Sequence, residues 1–158
     1  MNDLPEAARR VQTAANALGL AVSVRLMPAS TRTAEEAALT CGCTVGQIVK
    51  SLIFRGKDSE RPYLLLVSGS NRVNEKAVAV SLGEGIIRPD ADFVRAVTGF
   101  AIGGIPPFGH LTRLVPYLDA GLLQFDTVWA AAGTTTAVFP VDPARLRDAT
   151  GAVVIAVD

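Results

Sequence analysis

Histidine and cysteine are scarce in this sequence, and their scarcity excludes several kinds of site. His110 is the only histidine, and Cys41 and Cys43 are the only cysteines. A histidine-rich metal site is excluded by count, and the three residues together would be an atypical zinc set. Cysteines two positions apart are too close for an ordinary structural disulfide, which favours a helix end packed into the core of a protein from a reducing cytoplasm. We therefore expect no metal and no cofactor.

Long apolar runs and an excess of one charge are also missing. No apolar stretch approaches the roughly 18–20 residues of a membrane span, and Met1-Asn2-Asp3-Leu4 lacks the basic start of a signal peptide. We expect no membrane partner. The 15 basic and 15 acidic residues cancel, which argues against DNA binding by bulk charge. The segment 50–76 carries six basic and three acidic residues, so either a solvated hairpin tip or a phosphate-facing surface fits it.

The familiar catalytic motifs are absent. The sequence has neither a G-x-x-x-x-G-K-[ST] phosphate loop nor a G-x-S-x-G nucleophile elbow. Gly83-Glu84-Gly85 lacks the third glycine of a dinucleotide fingerprint. Any hydrolysis by this chain must therefore proceed without a conventional catalytic triad.

What the sequence does have is enough apolar residue for a core and a regular alternation of helical and strand periods. The 158 residues are 49% apolar and 19% charged, which predicts one folded domain over residues 1–158. Helices are expected at 4–18, with Asp3 and Glu6 as a capping box, at 33–42, and after the caps Asn74, Asp90 and Asp142. Strands are expected at 22–26, 48–54, 63–67, 115–118, 127–131, 136–139 and 153–157. Turns rather than βαβ crossovers join most strands, which predicts an α+β fold with a curled, mixed, largely antiparallel sheet flanked by helices.

Lys50 is the first candidate functional residue. Strand alternation places it on the same face as Ile48, Leu52 and Phe54, which is an apolar face. Lysine is rarely buried without a partner. Either its ammonium reaches water at a strand end, or it lines a pocket for an anionic or carbonyl-bearing ligand.

The segment from Gly103 to His110 is the second candidate. Its glycines permit close backbone approach, and Pro106 and Pro107 stiffen the chain and remove two donors. The N–H groups of Gly103, Gly104 and Ile105 could converge as an anion or oxyanion nest. The alternative is an ordinary tight loop between a helix and a strand.

Three segments occur together in an order that resembles a known family. They are residues 48–54 (IVKSLIF), 99–110 (GFAIGGIPPFGH) and 128–133 (VWAAAG), and 31–37 (TRTAEEA) resembles the same family's early helix. The set is similar to the YbaK/aminoacyl-tRNA deacylase family, which is related to the editing domain inserted in bacterial prolyl-tRNA synthetases. The resemblance spans about residues 25–157.

This resemblance implies a curled mixed sheet and hydrolysis of the ester between a mischarged amino acid and the terminal adenosine of tRNA, often the tRNA for proline. The family's essential lysine corresponds to Lys50, and its glycine-rich loop to residues 103–109. Ile105 and Pro106 stand where the branch acting on cysteinyl-tRNA has other residues, so the amino acid stays open. The expected partner is aminoacyl-tRNA, together with a synthetase or an elongation factor that supplies recognition.

As a mechanism, the amides of Gly103 and Gly104 would stabilise the developing oxyanion while Lys50 holds the terminal phosphate or ribose. The nucleophile would be a water or the ribose hydroxyl, since the sequence identifies no protein base. The residues expected to contact the substrate are Thr33, Ser70, Ile105, Pro106, Pro107, Gly109 and His110. For His110 a hydrogen bond that anchors the loop is preferred over a catalytic role. Two rival functions are a non-catalytic module that binds tRNA ends or a small metabolite, and hydrolysis of another acyl ester without RNA.

Overall fold

The computed structural model describes residues 3–158, which form one eight-stranded sheet with five helices. The helices are α1 (Glu6–Ala17), α2 (Ala34–Cys41), α3 (Glu75–Leu82), α4 (Ala91–Thr98) and α5 (Pro143–Thr150). The strands are β1 (Arg25–Leu26), β2 (Ile48–Gly56), β3 (Pro62–Ser68), β4 (Ile86–Ile87), β5 (Tyr117–Asp119), β6 (Val128–Ala131), β7 (Ala137–Val141) and β8 (Val153–Ile155). Two 3-10 turns lie at Val45–Gln47 and Ala120–Gln124.

The sheet is open and mixed, with the strand order β1-β7-β6-β2-β3-β5-β8 and with β4 attached to β2. The longest ladder is the antiparallel β2–β3 hairpin, which runs from Val49↔Ser68 to Arg55↔Pro62. The pairs β1–β7, β2–β4 and β6–β7 are also antiparallel, whereas β2–β6, β3–β5 and β5–β8 are parallel. The prediction of an α+β fold with a mixed sheet is confirmed.

Side-chain caps fix the start of four helices where the sequence predicted them. Thr33 and Glu36 form a capping box on α2, in which the Glu36 N–H donates to the Thr33 hydroxyl at 3.1 Å. Asn74, Asp90 and Asp142 each accept a hydrogen bond from the first turn of α3, α4 and α5.

The first helix differs from the prediction. It begins at Glu6 rather than residue 4, after Pro5, and has no side-chain cap. The expected box of Asp3 and Glu6 is therefore wrong, because Glu6 is already the first helical residue and cannot occupy the third position. The strand expected at 22–26 is also shorter, since only Arg25 and Leu26 pair with β7.

The sheet buries apolar side chains on both faces. Along β2, Val49 and Ile53 join the larger core cluster, whereas Leu52 and Phe54 join a second one. This alternation follows the two-residue period of a strand, and it places Lys50 on the same face as Leu52 and Phe54, as predicted. No helix within residues 3–158 is long and apolar enough to cross a membrane.

A notch interrupts the sheet beside β2. Strand β6 pairs with β2 only at Ile48↔Trp129 and Val49↔Ala130. The next pairing on this edge is with β4, at Arg55 and Gly56. Between these two points no strand of residues 3–158 pairs with this edge of β2. The notch follows from the parallel pairing, because β6 ends at Ala131, one residue after its last pair with β2, while β2 continues to Gly56.

A buried carboxylate ties the end of β3 to the end of β5. Asp119 is 2% exposed. Its Oδ2 accepts from the Ser68 N–H at 3.0 Å and from the Asn71 side-chain amide at 2.8 Å. Its Oδ1 accepts from the Gly121 N–H at 2.9 Å. Three donors offset the cost of burying the charge, and they fix the turn that follows β3.

We predict that Asp119→Ala lowers the free energy of unfolding by about 2–4 kcal/mol, because two backbone N–H groups and one side-chain amide lose their buried acceptor. Urea unfolding followed by circular dichroism measures the change. The control is Asp148→Ala, whose carboxylate is 71% exposed and pairs with the neighbouring Arg147; it should cost less than about 0.5 kcal/mol. Equal losses for the two variants would contradict the role given to Asp119.

Candidate active site

A cleft of about 330 Å³ opens at the notch between β2 and β6. Its walls come from five parts of the chain: residues 31–37 at the start of α2, the first five residues of β2, the loop at 102–105, β6 and β7. Most of the lining is apolar. The lining residues are Thr31, Arg32, Thr33, Ala34, Ala37, Ile48, Val49, Lys50, Ser51, Leu52, Ile102, Gly103, Ile105, Trp129, Ala130, Ala131 and Val138.

Lys50 is half-buried in this cleft. Its Nζ donates to the carbonyl oxygen of Asn71 at 2.7 Å, which uses one of the three N–H donors of the ammonium. Burial lowers the pKa of Lys50, and the nearby Arg72 and Arg88 lower it further, while the carboxylates of Glu35 and Asp119 act in the opposite direction. Lys50 and Arg32 are the charged residues among those that line the cleft.

Asn71, whose carbonyl accepts the hydrogen bond from Lys50, is fixed by two further hydrogen bonds. The Asn71 side chain donates to the buried Asp119 carboxylate at 2.8 Å, and the Asn71 N–H donates to the Ser68 carbonyl at 2.9 Å. The turn after β3 is therefore fixed from both sides. This positions the acceptor for the Lys50 ammonium before any ligand binds.

The two glycines of the loop have different surroundings. Gly103 lines the cleft and has a φ of 98°, which favours glycine. The Gly104 N–H donates to the Ala101 carbonyl at 3.1 Å, within the loop's own turn. The Gly103, Gly104 and Ile105 amides therefore do not all point together as the sequence suggested, and Gly103 is the glycine that faces the cleft.

Gly104 instead makes a close contact between main chains. Its carbonyl accepts from the Gly133 N–H at 2.8 Å, and a Cβ at Gly104 would lie 2.9 Å from the Gly133 carbonyl carbon. Gly133 in turn lies against α1, because a Cβ there would be 2.8 Å from the backbone of Ala7. Three segments distant in sequence thus meet with no side chain between them.

The rest of the glycine- and proline-rich loop divides between two surfaces. Ile105 lines the cleft. Pro107, Gly109 and His110 instead line a separate hollow against α1 and α5. Pro106 is buried, and its carbonyl accepts a 2.7 Å hydrogen bond from the His110 Nε2.

His110 anchors this loop. Besides the bond to Pro106, its ring meets Phe100 edge-on with the centroids 6.3 Å apart. Burial lowers the pKa of His110, so the ring is neutral at physiological pH. The anchoring hydrogen bond is the one that the sequence favoured for this residue.

Thr33 and Ser70 are placed differently from one another. Thr33 lines the cleft, although its hydroxyl also caps α2. Ser70 lies under the turn at Val45–Gln47, where its hydroxyl is 3.2 Å from the hydroxyl of Ser68. The side chain of Ser70 therefore packs between the turn after β3 and the turn at Val45–Gln47, and Ser70 is not among the residues that line the cleft.

Arg32, Ser51 and Trp129 are among the cleft residues that sequence reasoning did not assign to the site. The Arg32 side chain packs against Gly103, and the indole of Trp129 has the guanidinium of Arg25 over it at 5.3 Å. All three lie within segments that carry the family resemblance, 31–37, 48–54 and 128–133, but no pattern within those segments marks them as site residues.

The two cysteines are free thiols at the end of α2. Burial raises the pKa of Cys41 to about 11 and also raises the pKa of Cys43. Both are therefore protonated at neutral pH and are poor nucleophiles. Within residues 3–158, no three His, Cys, Asp or Glu side chains cluster as metal ligands would.

Comparison with known proteins gives a consistent result. Residues 28–149 match the family model described as the aminoacyl-tRNA editing domain. A solved structure described as a candidate trans-editing enzyme for prolyl tRNA synthetase is 46% identical, with a TM-score of 0.92 over 99% of each chain. The structure of the hypothetical protein APE2540 is 31% identical, with a TM-score of 0.87 over 94% of this chain and 98% of that one.

A curated relative agrees over most of the chain. YwhH of Bacillus subtilis, which is described as uncharacterized, is 32% identical over 119 residues, or 75% of each protein. The resemblance noted in the sequence is thereby confirmed. The family match covers the cleft, Lys50 and the Gly103 loop, and this chain belongs to the aminoacyl-tRNA editing domain family.

Proposed function

We propose that the chain is a trans-editing hydrolase that removes a mischarged small amino acid from the tRNA for proline. The observation that carries this proposal is that Lys50 and Gly103 line the same small cleft. Family membership supports ester hydrolysis as the reaction. The 46% identical structure supports prolyl-tRNA synthetase as the enzyme whose errors are corrected.

The reaction breaks the ester bond between the aminoacyl carbonyl carbon and a ribose oxygen of the terminal adenosine. Water, or the neighbouring ribose hydroxyl, adds to the carbonyl carbon and forms a tetrahedral oxyanion. The bond to the ribose oxygen then breaks, and that oxygen takes up a proton. If the ribose hydroxyl is the nucleophile, the new ester is hydrolysed in a second step.

Gly103 and Lys50 stabilise different parts of this substrate. The Gly103 N–H donates to the carbonyl oxygen as negative charge develops, which is worth roughly 3–4 kcal/mol for one well-placed donor. The Lys50 ammonium keeps its bond to Asn71 and uses another donor on the terminal phosphate or ribose. Since Gly104 is bound within its own turn, its contribution is to hold the loop rather than to contact the carbonyl.

The dimensions and walls of the cleft favour a small amino acid. A volume of about 330 Å³ must hold both the amino acid and part of the ribose. Ile48, Ile105 and Trp129 supply apolar walls. Binding separates substrates that differ by one methylene by only about 10–200-fold, which makes a separate hydrolytic sieve useful.

Recognition of the tRNA requires more than charge. The net charge of the chain is zero, so bulk electrostatic attraction to RNA is weak. We therefore propose that a prolyl-tRNA synthetase or an elongation factor presents the charged tRNA, in the cytoplasm where charging takes place.

The proposal is tested with a panel of tRNAs for proline charged with alanine, serine, cysteine or proline. We expect release of alanine, serine or cysteine to be at least about 10-fold faster than release of proline. Free amino acid is measured over time against a reaction without protein. Binding of charged tRNA with no release of any amino acid would instead select the non-catalytic module, and equal rates on acylated adenosine and on full tRNA would select an RNA-independent esterase.

The role of Lys50 is tested by Lys50→Ala. We expect kcat/KM on the best charged tRNA to fall roughly 100- to 1,000-fold, because the substrate loses a cation in a partly water-excluded site. Lys57→Ala is the matched control, since Lys57 is exposed in the loop between β2 and β3; it should change the rate by less than about threefold. Full activity of Lys50→Ala would show that the assigned role is wrong.

The pH dependence of the reaction follows from the lowered pKa of Lys50. The reactive form is the cation, so kcat/KM should fall as pH rises through that pKa, at a pH below the ordinary lysine value of about 10.4. The measurement is initial rate against pH, with spontaneous ester hydrolysis subtracted. A rate that stays constant up to the ordinary lysine pKa would contradict a charged, partly buried Lys50.

A further inference from the structure

The Ser51 hydroxyl is buried beside the cleft with no partner. Its Oγ exposes less than 1 Å² and has no hydrogen-bond partner within residues 3–158, where it is the one buried side-chain polar atom left in this state. Leaving a hydroxyl unsatisfied costs about 1–3 kcal/mol, and folded proteins rarely do so without a reason. Ser51 also lines the cleft, directly after Lys50.

The side chains nearest to Ser51 on its face of β2 are apolar and cannot accept or donate a hydrogen bond. Strand alternation places its side chain on the same face as Val49 and Ile53, both of which are buried in the larger core cluster. Ile105 and Ala130, which line the cleft, belong to the same cluster. Because Ser51 lines the cleft, a polar group that enters the cleft can give this hydroxyl a partner, as can a water enclosed beside it.

Lys50 and Ser51 are adjacent but lie on opposite faces of β2. The notch leaves this edge of β2 without a strand partner among the described residues, so one cleft can reach both faces. A ligand in the cleft would therefore meet the Lys50 ammonium at one end and the Ser51 hydroxyl at the other. An aminoacyl ester has the matching layout, with phosphate and ribose on one side of the carbonyl and the α-amino group on the other.

We propose that the Ser51 Oγ hydrogen-bonds the α-amino group of the bound aminoacyl ester, an inference that rests on the proposed function. A hydroxyl can accept from either protonation state of that amine. The bond makes Ser51 a specificity-determining residue that distinguishes aminoacyl esters from simple acyl esters. A site that satisfies a buried polar group only with the correct substrate disfavours the analogue that lacks the partner.

The test pairs one enzyme change with one substrate change. Wild type and Ser51→Ala are compared on the same tRNA carrying either an alanyl or a propionyl ester, which lacks only the amino group. We expect Ser51→Ala to reduce kcat/KM about 10- to 100-fold on the alanyl ester and less than about threefold on the propionyl ester. Ser51→Thr keeps the hydroxyl and should recover most of the loss. Ser81→Ala, at an exposed position on α3, should change neither rate.

Two further measurements separate the possible outcomes. Ser51→Ala should unfold at the same or a higher urea concentration than wild type, because it removes an unsatisfied buried group. Affinity for the non-hydrolysable amides of alanine and propionate with 3′-amino-3′-deoxyadenosine should show the same pattern as the rates, even for a chain without turnover.

Equal losses on the two esters, or no loss on either, would overturn the assignment; the second result would indicate a hydroxyl satisfied by an enclosed water. A wild-type chain that binds the alanyl amide more tightly than the propionyl amide but releases no amino acid would refute the proposed hydrolysis and leave the Ser51 contact standing.

Discussion

The separation of β2 from β6 is the constraint on which the site depends. An unpaired strand edge exposes backbone donors and acceptors and must be covered or used. Here β6 separates from β2 after two register pairs, and residues of α2 and of the loop at 102–105 line the gap without filling it. The result is a cleft with a sheet strand as its floor. A strand held by seven register pairs to β3 is a more rigid platform for a functional side chain than a loop would be.

Lys50 lies on this strand, and its surroundings change its pKa in opposite directions. Burial disfavours its charge, while Glu35 and Asp119 favour it. Asp119 also acts through structure, because it holds Asn71, whose carbonyl accepts from the ammonium. One buried carboxylate therefore supports both the fold at the end of β3 and the position of the cation. The hydrogen bonds from Lys50 to Asn71 and from Asn71 to Asp119 restrict the position of the flexible lysine side chain.

The features that sequence predicted best were local. The caps Thr33, Asn74, Asp90 and Asp142 each depend on a hydrogen bond to a residue two or three positions away, and such patterns are visible in a short window. The side of β2 on which Lys50 lies follows from alternation alone. That Lys50 and Gly103 share a cleft is a long-range fact, and only the resemblance to a family suggested it.

The features that sequence missed depend on contacts between distant segments. The notch arises from pairing between residues near 48 and residues near 129, so no local pattern marks Ser51 as a cleft residue. The local sequence around Asp119 does not mark it, because two of its three partners, Ser68 and Asn71, lie about fifty positions earlier. The sequence suggested that the N–H groups of Gly103, Gly104 and Ile105 converge on one anion site. The Gly104 N–H instead donates to the Ala101 carbonyl within a turn, a geometry that glycine content alone does not determine.

The contact of Gly104 with Gly133, and of Gly133 with Ala7, has a consequence for how substrate preference can change over evolution. These segments touch through their main chains. A side chain at Gly104 or Gly133 would therefore force the segments apart, because even a Cβ at either position lies within 2.9 Å of backbone atoms. Substitutions at these two positions cannot shift the loop that bears Gly103 by small steps. We expect the selectivity of related chains to diverge instead at other walls of the cleft, where Ala34, Ala37 and Ala131 have small side chains. The loop proposed to bind the carbonyl would then be inherited unchanged, while the walls proposed to select the amino acid are free to vary.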